Sequence, residues 1–145
     1  MKILNNMLLF SLAFVAATAY AEIQKFGALD VHYNVITTDT LAPQVAKAYG
    51  ISRSKNRLLL TVSVSRSDEK GVPRAVNADV TAYTVNMIGQ HRKITLRKIS
   101  EGEAIYHLGD FGFATPDLLR FTLSVAEPGS VKPHKIEFQR NFERF

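Results

Sequence analysis

The chain has 145 residues, with 18 Lys and Arg against 13 Asp and Glu, a formal net charge of +5 and no Cys. The lack of Cys excludes disulfides, thiolate metal sites and thiol catalysis, so an exported domain of this kind has packing alone to hold it together. The modest positive balance keeps a small domain soluble. It also suits anionic lipid or acidic glycan, whereas an exported chain has no call for nucleic acid.

The chain opens with Lys2, an apolar run from Met7 to Ala17, and then Ala19-Tyr20-Ala21. The last three set small residues at the two positions a signal peptidase reads. That order is a secretory signal peptide, residues 1–21, cut after Ala21. The apolar run is shorter than the ~20 residues that span a bilayer. No transmembrane segment is therefore expected in the mature chain, and no Cys follows to accept a lipid. Residues 22–145 form one domain by length, large enough to bury about two thirds of its unfolded surface. Its expected location is the periplasm.

Val31, Tyr33 and Val35 alternate with Asp30, His32 and Asn34, which predicts a first strand. Gly27 marks a bulge or bend before it. Leu41 to Gly50 is the one convincing helix. Thr40 or Asp39 is placed to cap it, Pro43 fits its first turn and Gly50 is a good left-handed terminator. About two turns of helix are too short to be stable unless packed on a sheet.

Arg57 to Ser65 is the clearest strand, with Leu58, Leu60, Val62 and Val64 on one face and Arg57, Thr61, Ser63 and Ser65 on the other. Ser67 to Gly71 turns the chain. Ala75 to Met87 reads as one long strand, and its small Ala78 and Ala82 predict close approach by a facing sheet. Lys93 to Ile99 reads as the next, followed by a hairpin loop at Ser100 to Glu103 and a strand from Ala104. Leu119, Phe121, Leu123 and Val125 alternate with polar residues in a second clear strand, and Ile136 and Phe138 face inward in the last. About seven short strands with turn punctuation and one short helix predict an all-β fold, an immunoglobulin-like antiparallel β-sandwich. The competing architecture is a closed barrel. A lipid-facing barrel is rejected, because Lys93, Arg97 and Arg120 stand where lipid would be.

The runs His32 to Ile36 and Leu41 to Arg57 resemble an uncharacterised proteobacterial family of exported proteins, domain of unknown function 4426. Gly89-Gln90, Glu101 to Tyr106 and Ile136-Glu137-Phe138 fit the same resemblance, which covers essentially the whole mature chain. It implies a small exported protein of a Gram-negative bacterium and implies no activity.

Several constellations carry chemistry on paper. Arg53, Lys55 and Arg57 share one parity if the strand runs back to Ser52, and with Asn56 beside them they offer a carboxylate or phosphate the forked donors it needs. The plainer reading is a charged edge that discourages strand-to-strand aggregation. His32, Tyr33 and Tyr49 form a second candidate, an imidazole and two hydroxyls near the basic run. Against it, Tyr33 also reads as a core aromatic with one wet end. His32, His91, His107 and His134 lack metal spacing, so no metal and no cofactor is expected. No Gly-x-Ser-x-Gly elbow is present.

The expectation is therefore a periplasmic β-sandwich that is not an enzyme and binds another macromolecule, an unknown envelope protein. The alternative is a binder of an anionic small ligand or glycan through the basic strand. A third reading is an enzyme whose acid or His site assembles only in space.

Overall fold

A computed structural model describes residues 21–114 and 117–143, so the proposed signal peptide lies outside the described residues. The described residues hold ten strands: β1 Glu22–Phe26, β2 Leu29–Thr37, β3 Arg57–Ser67, β4 Pro73–Ala75 and β5 Asp79–Val85 in the first half. β6 His91–Ile94, β7 Arg97–Glu101, β8 Ala104–Gly112, β9 Asp117–Ala126 and β10 His134–Phe142 follow. One antiparallel sheet has the order β1-β2-β3-β8-β7, with β4 added to β3, and the other has the order β10-β9-β5-β6. The two sheets make the expected all-β sandwich, and among the described residues no barrel closes.

The inner faces follow from alternation. Leu58, Leu60, Val62 and Val64 of β3 are buried against Leu119, Phe121, Leu123 and Val125 of β9. Phe121 and Phe138 stack at 4.9 Å between centroids, and Tyr33 lies 4.6 Å from Phe138. Ala78 and Ala82 are fully buried, as small residues between close layers should be.

There are ten strands rather than about seven because the chain changes sheets inside two runs that read as single strands. The run from Ala75 divides: β4 pairs with β3, Val76 to Ala78 steps from one sheet to the other, and β5 pairs with β9. Likewise β6 pairs with β5, Thr95 and Leu96 cross over, and β7 pairs with β8. At Gly27 the chain turns between β1 and β2, which adds the tenth strand.

The second crossing closes one flank, and it needs Gly109 of β8. A Cβ there would lie 2.7 Å from Ile94 Cγ2, 2.8 Å from Leu96 Cδ2 and 2.9 Å from the Thr95 carbonyl oxygen. The other flank closes where β1 meets β10. Arg140 pairs with Glu22 at 2.5 Å, and Phe26 stacks on His134 at 4.4 Å.

Helix α1, Pro43–Tyr49, lies on the outer face of the larger sheet, where Leu41, Ala46 and Ile51 pack on Leu59 and Leu108. Its N-cap is Ala42, with no side-chain cap, because Thr38 to Thr40 are taken up in a 3-10 turn. Gly50 ends it at φ 64°, the left-handed geometry that glycine adopts without strain.

The crossing gives a direct test. Gly109→Ala should cost about 1–3 kcal/mol in urea unfolding, as overpacking does. Gly112→Ala, three residues along, meets nothing nearer than 3.9 Å and should stay within about 0.5 kcal/mol of wild type. Equal losses would show that the crossing does not press on β8.

Candidate functional site

β3 starts at Arg57, so the parity that would align Arg53, Lys55 and Arg57 does not extend back to Ser52. Arg53 donates from Nε to the Leu41 carbonyl and from Nη2 to the Asp39 carbonyl, both at 2.8 Å. It thereby ties the 3-10 turn to the segment before β3. Arg57 pairs with Asp110 of β8 at 2.6 Å. Asn56 accepts the Phe113 N–H at 3.0 Å, and Lys55 is exposed. The basic run is thus largely a clasp between neighbouring segments.

His32, Tyr33 and Tyr49 do not converge. His32 sits on the outer face of the larger sheet, between Ile23 of β1 and Ser63 of β3. Tyr33 points into the core, and its hydroxyl meets Glu22. The Tyr33 hydroxyl beside it, with help from Arg140, holds the Glu22 carboxyl below its ordinary range. Burial, then Glu22, pushes the Tyr33 hydroxyl up to about 12. Tyr49, at the end of α1, donates to Glu101 of β7, and this bond and burial raise its own pKa to about 12.

A different group gathers at the end of the sandwich where β5 turns into β6. Asn86 to Gln90 form a turn closed by the Gly89 N–H to the Asn86 carbonyl at 3.0 Å and the Gln90 N–H to Asn86 Oδ1 at 2.8 Å. The Asn86 side-chain amide donates to Gln90 Oε1 at 2.7 Å, and the Met87 N–H reaches Asp117 Oδ1 at 3.3 Å. Gly89 supplies the φ of 80° that the turn requires. The turn's centre is Met87 and Ile88, which are 73% and 80% exposed. Turn centres usually hold Gly, Pro, Asn, Asp or Ser. An apolar pair there is the sequence signal that the reading of this stretch as strand passed over.

Beside the turn the two layers part around a cleft of about 550 Å³, whose lining includes Thr84, Arg92, Phe111, Phe113, Asp117 and Leu119. Arg92 is the cross-strand partner of the buried Thr84, so it faces the gap between layers. Its guanidinium donates to the Gly112 carbonyl and lies 6.0 Å from the Phe111 ring centroid. Among the described residues, no three His, Asp or Glu side chains gather to hold a metal ion.

Farther from this end, His107 of β8 is 5% exposed and its Nε2 has no hydrogen-bond partner. It faces the interlayer side beside Val62 and Lys98. Burial lowers its pKa, the Lys98 charge lowers it further and Asp79 opposes both. Lys98 itself donates to the Asn77 side chain.

Fold and site together define a small two-sheet antiparallel sandwich with one open, partly apolar end. Residues 23–143 match the family described as "Domain of unknown function (DUF4426)", and the chain belongs to that family. The resemblance seen in His32 to Ile36 and Leu41 to Arg57 therefore holds across the domain. The crystal structure of a DUF4426 family protein from Pseudomonas aeruginosa PAO1 is similar at 34% identity, over 86% of this chain and 96% of that one, with a TM-score of 0.71. FetP of uropathogenic Escherichia coli strain F11 shares the fold at 10% identity, with a TM-score of 0.60 over 85% of this chain and 93% of its own. A copper-bound single-residue variant of FetP gives 0.61 at 10% identity, over 86% and 95%. No curated protein matches the chain.

The buried His107 fixes the sign of a pH dependence. Below the ordinary histidine value of ~6.5 the unfolded chain takes up a proton that the folded chain resists. Stability present above that value is therefore lost as pH falls. The urea midpoint should drop between about pH 7 and pH 5, and His107→Leu should flatten part of that drop. An unchanged pH profile in the variant would show that His107 carries none of it.

Proposed function

We propose that this chain is an exported, periplasmic protein that is not an enzyme and binds another macromolecule, an envelope protein, through the end bearing Met87 and Ile88. One observation carries the reading. Two large apolar side chains stand in water on a turn whose hydrogen bonds keep them from folding back. Covering such side chains is worth about 1.5–3 kcal/mol each, and a fixed turn spares a partner the cost of ordering it. Isolated exposed apolar residues are ordinary on protein surfaces; here the pair is adjacent and braced beside a cleft.

Export is supported by the order of Lys2, the apolar run and Ala19-Tyr20-Ala21, and by a first strand that starts at Glu22, just past the expected cut. The antiparallel two-layer frame is immunoglobulin-like in the broad sense, and such frames bind through edges and end loops. Copper is bound by a variant of the distant FetP. Among the described residues of this chain no three His, Asp or Glu side chains gather, and no metal enters this reading.

A photoreactive residue at Ile88, introduced in cells, should yield a discrete crosslinked partner. The same residue at the exposed Thr81 on the outer face of β5 should not, and Met87→Ser with Ile88→Ser should lower recovery of that partner several-fold. Background alone at position 88 would remove the proposal.

A further inference from the structure

The cleft beside the turn has chemistry of its own, distinct from the exposed apolar pair. Its walls come from both layers: Phe111 and Phe113 lie at the end of β8 and beyond it, and Leu119 belongs to β9. Phe111 packs edge-on to Phe121 at 6.3 Å, and Phe113 packs edge-on to Phe142 at 5.2 Å, so both rings are fixed from behind. The volume of about 550 Å³ falls within the span of small-ligand sites.

Arg92 stands at the mouth. A guanidinium carries five N–H donors in a planar fork. One bond goes to the Gly112 carbonyl, and the plane is held near the face of Phe111. Among the described residues Arg92 pairs with no carboxylate. Donors therefore remain for a ligand, and the group's position is already set. The acid of the lining, Asp117, is turned to the Met87 N–H. Its charge disfavours a dianion more than a monoanion, since repulsion grows with the ligand's charge.

We propose that the cleft binds an apolar carboxylate, with the carboxylate taken by the fork of Arg92 and the hydrocarbon lying against Phe111, Phe113 and Leu119. The same chemistry is offered by a free fatty acid and by the free C-terminus of a peptide with apolar side chains. The site stands apart from the macromolecule-binding reading, since it uses neither Met87 nor Ile88.

The test is a nuclear magnetic resonance titration of the isotope-labelled domain, residues 22–145. The probes are octanoate against octan-1-ol, N-acetyl-Ala-Leu-Phe as free acid against its amide, and inorganic phosphate. At least one acid should shift the amides of Thr84, Phe111, Gly112 and Phe113, and should bind about tenfold or more tightly than its neutral partner, the worth of a charged hydrogen bond. Which acid does so identifies the source. Arg92→Gln should abolish that difference, and Arg92→Lys should restore part of it. Because Arg92 also braces Gly112, the comparison of acid with neutral analogue in the wild-type protein decides the matter without any variant. Equal binding of acid and neutral forms, binding of phosphate as tight as the acids, shifts confined to other surfaces or no binding at all would each overturn the proposal.

Discussion

The structure depends on the contact between two inner faces, Leu58 to Val64 of β3 and Leu119 to Val125 of β9. Each strand is central in its sheet, and each contributes fully buried side chains. Apolar area removed from water is the dominant favourable term in folding, and without disulfides no covalent staple shares the task. The flanks then decide the shape. On one side a single run of chain steps from one sheet to the other over Gly109; on the other, Arg140 and Glu22 and a stacked Phe26 and His134 draw β10 and β1 together. Helix α1 adds a small second cluster on the outer face, made from the other side of β3 and β8.

Closure at the flanks leaves the ends. At the end opposite the β5–β6 turn, the last residues of β3 and the turn after β9 are linked by the ion pair of Arg66 and Glu127. At the β5–β6 end the layers part, and there the chain places an arginine near the ring of Phe111 and an apolar pair on a braced turn. Polar and apolar recognition elements thus share one end of the sandwich. The cleft and the turn tip present separate surfaces, since neither Met87 nor Ile88 lines the cleft.

Much of the fold was legible because alternation is a local signal. β3 and β9 declare themselves through parity alone, and Gly50 declares the end of α1. The sheet changes were not legible, for a physical reason. Ile94 and Leu96 both face the core across the second crossing, as Val76 and Ala78 do across the first. A strand that moves from one layer to the other keeps its inward parity, so the pattern does not break where the pairing does. The basic residues illustrate the same limit. Arg57 was visible as a cation, but its partner Asp110 is 53 residues away, and Arg53 is spent on backbone carbonyls that no pattern announces. Arg92 lies just before the strand expected from Lys93, and nothing local says that its partner across β5 and β6, Thr84, is buried. Met87 and Ile88 were readable in principle, as apolar residues between Asn86 and Gly89.

The central claim is that the β5–β6 turn holds its apolar pair out in water without yielding. Backbone relaxation of the free domain tests this most directly. The account predicts order parameters of about 0.85 at the Met87, Ile88 and Gly89 amides, the same as in β5 and β9. Values below about 0.6 there would mean a flexible loop that samples many arrangements, and would contradict the account.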